Sequence, residues 1–111
     1  MRRAREAGNY FEAFIYHHLC VLTQQLTPSA KLYYWRTRTG QEVDFVLEHG
    51  RRVLAIEVKQ TTQPGYGDTA GLQSFLTDHP EWSGGLLLHG GREIRRVEDH
   101  IVAAPWTLIT G

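Results

Sequence analysis

The chain has 111 residues, 41% hydrophobic and 22% charged, a composition that suits one folded domain with a single core and excludes a disordered tail. Twelve Lys and Arg balance twelve Asp and Glu, so no net field draws the molecule toward nucleic acid or an anionic membrane, and any nucleic-acid binding must be local. A single cysteine, Cys20, excludes an internal disulfide, and with no apolar run of membrane-spanning length the expected setting is the reducing cytoplasm, with no membrane partner.

Residues 8–26 carry Phe11, Phe14, Ile15, Leu19, Leu22 and Leu26 at spacings of three and four, which predicts an amphipathic helix stopped by Thr27-Pro28-Ser29. Asn9 followed three residues later by Glu12 is close to a capping box at the start of that helix. His18 shares the stripe of Phe11, Ile15 and Leu22 and reads as a hydrogen-bonded core histidine. Residues 31–37, 42–48 and 51–60 are rich in Val, Ile, Tyr, Phe and Trp and are separated by Gly40 and by His49-Gly50. They read as three consecutive antiparallel strands. In the first, Tyr33 and Trp35 point one way and Tyr34 and Arg36 the other, so core packing is the simpler account of the aromatics, with Arg36 and Arg38 kept as phosphate contacts.

Residues 61–69 contain Pro64, Gly65 and Gly67 and read as a loop, either a mobile cover or a plain connection. Asp68 or Thr69 then caps a short helix running to about residue 78, with Leu72, Phe75 and Leu76 inward and Pro80 beyond its end. Three leucines in a row within residues 85–89 mark a strand buried on both faces, as a parallel neighbour in a sheet is. Weaker strands are expected near residues 93–97 and 107–110. The order of helix, three strands, helix and strand predicts an α/β fold in a single domain over residues 1–111, a mixed four-stranded central sheet flanked by helices, with extra C-terminal strands.

The second and third strands carry the chemistry. A tight turn centred between Gly50 and Arg51 pairs Phe45 with Ile56, Leu47 with Leu54 and Val43 with Val58 on one side. On the other side Asp44 faces Glu57 and Glu42 faces Lys59, with opposed Cβ atoms roughly 5 Å apart. At that separation two carboxylates repel by about 3 kcal/mol at an effective dielectric near 20. If the first helix covers this face, a raised carboxylate pKa or a cation must relieve the repulsion, and oxygen ligands from Asp44 and Glu57 suit Mg²⁺ or Mn²⁺ better than zinc. An ammonium at Lys59 would position a water that attacks a phosphodiester. The plainer alternative is a solvated hairpin face on which Lys59 pairs with Glu42 or Glu57. The six histidines offer no spaced metal pair, and no Ser or Cys triad can be assembled.

Glu42-Val43-Asp44-Phe45-Val46 followed by Ile56-Glu57-Val58-Lys59 resembles the D…ExK core of the PD-(D/E)xK nuclease superfamily, which includes Holliday-junction resolvases and many restriction enzymes. With Gly8-Asn9-Tyr10-Phe11-Glu12 and Tyr34-Trp35-Arg36-Thr37, the chain is similar to the nuclease-like domain at the C-terminal end of many prokaryotic AAA-type ATPases, over residues 8–60 and by element order beyond them. Val43 stands where the superfamily name has proline. The resemblance implies a restriction-endonuclease-like core in a fragment or C-terminal domain of a longer ATPase. It implies Asp44 and Glu57 as Mg²⁺ or Mn²⁺ ligands, the Val58 carbonyl as a third, Lys59 as the water-orienting group and Glu12 as an outer or second-metal carboxylate. Gln60 and Gln73 are looser candidates beside them. Two functions of different class follow: a nuclease acting on nucleic acid, DNA foremost, or a catalytically silent module through which an ATPase recognises nucleic acid or protein. The implied partners are a nucleic acid, a covalently linked ATPase domain and a second copy of the chain.

Overall fold

The computed structural model describes residues 6–25, 30–36, 42–78 and 83–110. Helix α1 is Glu6–Gln25, followed by strands β1 (Lys31–Arg36), β2 (Glu42–His49) and β3 (Arg52–Val58). A single 3-10 turn, Tyr66–Thr69, leads into α2 (Ala70–Asp78), then β4 (Ser83–His89), β5 (Arg95–Glu98), β6 (Ile101–Pro105) and a last helical turn α3 (Thr107–Thr110). Among the described residues the strands form one sheet of six, in the order β1-β2-β3-β4-β6-β5, so the four of the expected central sheet are extended by the two C-terminal strands β5 and β6. The first three strands are an antiparallel meander, β4 joins β3 in parallel, and β6 joins β4 in parallel with β5 antiparallel on its far side. Leu87 and Leu88 are fully buried in β4, one toward each layer, which is why three leucines run together there.

The β2–β3 hairpin turns at Gly50-Arg51, where Gly50 has φ +65°, a left-handed conformation open to glycine at little cost. The ladder from His49↔Arg52 to Phe45↔Ile56 is in the register the turn predicts. Two helices cover opposite faces. Ile15 and Leu19 of α1 pack on Phe45, Ile56, Val58 and Leu88, with Trp106 and Ile109 closing the same layer. Leu72 and Phe75 of α2 pack on Val46, Ala55, Leu87, Ile101 and Ala103, and the Trp35 ring meets Phe75 edge-on at 5.1 Å.

Several expectations are corrected. The first helix covers the apolar side of the hairpin, and it is α2 that lies over the face of Val46 and Ala55. Val43 belongs to the α2 layer whereas Val58 belongs to the α1 layer, so this pair does not share a side. The cause is a register shift: β1 advances from Tyr33 to Trp35 while β2 advances from Val46 to Val43, a bulge with one extra residue on β2. Asn9 lies inside a helix that begins at Glu6, so it is not the residue that caps the start. Phe14 and Leu22 are 44% and 39% exposed, because the sheet accepts only the row of Ile15 and Leu19. His18 is half-buried with its ring edge-on to Phe14, not a core group. Residues 107–110 form a helical turn where a strand was expected, and β6 supplies that strand from residues 101–105 instead. Among the described residues no helix is long and apolar enough to cross a membrane.

Candidate functional site

At the end of the hairpin away from Gly50 the regular ladder stops, and a side chain takes over from the backbone. The Asp44 carboxylate, only 3% exposed, accepts the Val58 N–H through Oδ2 at 2.8 Å. The bulge is what allows this, since it leaves Asp44 between Val43 on the α2 layer and Phe45 on the α1 layer. Buried carboxylates are held in this way by donors that satisfy part of their hydrogen-bonding capacity.

Glu57 and Lys59 flank that amide. Glu57 pairs with Leu87 in the parallel ladder, and Leu87 lies in the α2 layer, so strand alternation aims Glu57 toward α2. The Lys59 ammonium stands 3.6 Å from Glu57 Oε2, with side-chain exposures of 40% and 13%. The Lys59 amide donates to the Leu88 carbonyl, carrying the β3–β4 pairing one step past the strand end. The Lys59–Glu57 contact is what the solvated-face alternative anticipates, although Glu57 is far less exposed than a free surface carboxylate.

Two oxygen ligands completed by water and a backbone carbonyl fit Mg²⁺, which keeps several waters and takes one or two carboxylates. Among the described residues no group of three or more His, Cys, Asp and Glu that could hold a metal ion is gathered, so an ion at Asp44 and Glu57 would take the rest of its ligands from water and backbone oxygens. Val58 contributes its N–H to Asp44. Glu12 is carried by α1, which packs on the opposite layer; its side chain lies outside the described residues, as do those of Glu42 and Arg36 and the whole of Arg38. Gln73 donates from its side-chain amide to the fully buried Thr69 hydroxyl on the preceding turn, which anchors the start of α2, and Gln60 is exposed.

Sequence reasoning missed what lies beyond β4. A cavity of about 730 Å³ opens between residues 62–65 and residues 89–95. The buried His89 forms its wall, accepting the Gly91 N–H at Nδ1 (2.9 Å), which leaves Nε2 to donate to the Glu93 carbonyl at 3.1 Å. A Cβ on Gly91 would overlap the Thr62 carbonyl oxygen, and the Gly90 amide donates to the Thr61 carbonyl at 2.8 Å, so the two loops are pinned together. Arg95 Nη2 donates to the Pro64 carbonyl at 2.7 Å. The available signal was the pair Gly90-Gly91 directly after an apolar strand, which marks close backbone approach.

The chain is 29% identical over 105 residues to uncharacterised protein Rv2008c of Mycobacterium tuberculosis and, at the same identity, to uncharacterised protein Mb2031c of Mycobacterium bovis. These alignments cover 95% of the chain but 22% of each relative, so the chain spans about a fifth of the curated relatives it matches. The model of a domain of unknown function, DUF4143, matches residues 7–109, nearly the whole fold described above, and the chain therefore belongs to the DUF4143 family.

Proposed function

We propose that the chain is a metal-dependent nuclease domain of the PD-(D/E)xK type, hydrolysing phosphodiester bonds at Asp44, Glu57 and Lys59. The observation that carries this reading is the buried Asp44 carboxylate bound to the Val58 amide, which sets one acid against the peptide that follows a second acid and precedes a lysine. Burying a carboxylate costs free energy unless it is well partnered, and a two-stranded connection alone needs no acid there. Asp44 and Glu57 would hold Mg²⁺ or Mn²⁺, which lowers the pKa of a bound water and offsets charge on the attacked phosphate. Lys59, about two-fifths exposed beside Glu57, orients the attacking water and faces the charge that develops on phosphorus-bound oxygens. Attack by that water forms one P–O bond and breaks another, and the leaving oxygen takes a proton.

A second reading is favoured by length. The relatives are several times longer than this chain, so the fold also suits a catalytically silent module through which a larger protein, an AAA-type ATPase by resemblance, recognises nucleic acid or protein. Cleavage of labelled single-stranded, duplex and branched DNA and of RNA, in Mg²⁺ or Mn²⁺ and in chelator, decides between them. Metal-dependent cutting that is lost in both Glu57→Gln and Lys59→Ala supports the nuclease; no cutting, or cutting that both variants retain, moves the assignment to the silent module.

A further inference from the structure

The cavity between residues 62–65 and 89–95 lies on the same sheet layer as Glu57, and the strand registers fix how far away it is. Glu57 pairs with Leu87, Leu87 with Ala103 and Ala103 with Arg95, so a single transverse row crosses β3, β4, β6 and β5 from the acid to the arginine. Leu87 and Ala103 both belong to the α2 layer, which places the two ends of the row on that layer as well. Three strand spacings of about 4.8 Å separate Glu57 from Arg95, roughly 14 Å between their backbones. From the other direction, Thr62 on the cavity wall is three residues after Lys59, a stretch that spans at most about 10 Å. Glu57 and the cavity therefore lie at one end of one layer, toward the carboxyl ends of the parallel strands, where α/β sheets place ligands.

The lining has the chemistry of an anion site. Arg92 and Arg95 supply two guanidiniums against one carboxylate, Glu93, and among the described residues neither arginine pairs with a carboxylate. Arg95 spends one donor on the Pro64 carbonyl, which tethers it and leaves its remaining N–H groups for a ligand. Arg92 is exposed. His89 already has both ring nitrogens in hydrogen bonds within the loop, to the Gly91 amide and the Glu93 carbonyl. Gln63 adds an amide, and the pinned loops hold the wall in place before any ligand arrives. Guanidinium forks match phosphate oxygens in pairs, and a cavity of about 730 Å³ has the size of a small-ligand site. A chain of zero net charge has to bind a polyanion through local positive surface, and this is such a place.

We infer that this cavity is a phosphodiester-binding subsite, in which Arg92 and Arg95 hold a nucleotide of the strand whose neighbouring bond lies at Asp44 and Glu57. The assignment rests on the phosphodiester reading of the carboxylate site, and it is tested without cleavage. Binding of a fluorescein-labelled 12-nucleotide single-stranded DNA, and of RNA of the same sequence, is followed by anisotropy in chelator over a range of salt. The native chain is compared with Arg92→Ala, Arg92→Glu and, as a control at the opposite end of the hairpin, Arg51→Glu, each checked for native circular dichroism. Arg92→Ala is expected to weaken binding about tenfold and to reduce the slope of log affinity against log salt by roughly 0.7, the release expected for one single-strand phosphate contact. Arg92→Glu is expected to weaken it further, and Arg51→Glu to leave it within twofold; the tighter of the two strands identifies the sugar. Equal weakening by Arg51→Glu and Arg92→Glu, native affinity in Arg92→Glu, or no binding by the native chain overturns the subsite. Strand binding that needs Arg92 in a chain that never cuts leaves the subsite standing and removes only the nuclease reading, whereas cutting that ignores Arg92 does the reverse.

Discussion

The Asp44 carboxylate is fixed to the Val58 amide at 2.8 Å, so the acid of β2 and the acid of β3 cannot drift apart without breaking a buried hydrogen bond. The bond serves the fold as well as the site. Asp44→Ala leaves a buried N–H with no acceptor and is expected to cost about 1–3 kcal/mol in urea unfolding. Asp44→Asn retains an acceptor oxygen and should cost less, while losing the negative charge that a divalent ion requires. Equal destabilisation by the two variants would mean that the charge of Asp44, and not its acceptor oxygen, holds the strand end.

Lys59 separates the structural and catalytic accounts. Its ammonium lies 3.6 Å from Glu57 but is 40% exposed, so solvent screens the pair and Lys59→Ala should change stability by less than about 1 kcal/mol. If the nuclease reading holds, the same substitution lowers cutting on the order of a hundredfold, since it removes charge aimed at the transition state. Parallel losses of stability and activity would make Lys59 a structural residue.

Metal binding has a readout independent of turnover. A ligand that binds only the folded state at a hundred times its dissociation constant adds about 2.7 kcal/mol, so saturating Mn²⁺ is expected to raise the melting temperature by several degrees for a domain of this size. Glu57→Gln should abolish the increase. A melting temperature that Mn²⁺ leaves unchanged in the native chain argues against the two-carboxylate site.

Two adjacent glycines should respond differently. A Cβ on Gly91 meets the Thr62 carbonyl oxygen and approaches His89 Nδ1 to 3.1 Å, while one on Gly90 comes no closer than 3.5 Å to any atom. Gly91→Ala is expected to cost about 1–3 kcal/mol by forcing the pinned loops apart. Gly90→Ala should be close to neutral. The comparison is read from denaturant midpoints, and equal effects would show that the two loops give way without strain.

At the hairpin turn, Gly50 has φ +65° and a Cβ added there would meet open space, so only the backbone conformation is at stake. Gly50→Ala should cost about 1–2 kcal/mol and Gly50→Asn clearly less, because asparagine visits the left-handed region readily. Equal costs in thermal unfolding would indicate that the turn rearranges.

The parts of the fold written locally were legible. Gly50-Arg51 and the alternation around it determine the β2–β3 register, and the run of leucines in β4 announces a strand with partners on both sides. The Val43 side was not legible, because the bulge that moves it arises from how β1 meets β2. The inward row of α1 was ambiguous for a related reason: Phe14 and Leu22 satisfy helical periodicity as well as Ile15 and Leu19, and only the width of the sheet chooses. Short apolar runs such as residues 107–110 carry no period long enough to tell a strand from a helical turn. Of the candidate site, the Asp44 and Glu57-to-Lys59 segments could be brought together from the turn alone. The cavity beyond β4 could not, because its wall comes from two loops that meet only when β4 is seated between β3 and β6.

That seating also bears on how the chain folds. The β1–β2–β3 meander and the β5–β6 hairpin each form from contacts close in sequence, but β4 belongs to neither. Its two parallel pairings join residues 53–58 to 83–88 and 85–89 to 101–105 across long connections, whose closure entropy must be met before the buried leucines reward it. The largest closure cost of the fold therefore falls on β4, between two locally paired halves of the sheet, and the cavity lies along the seam where those halves meet.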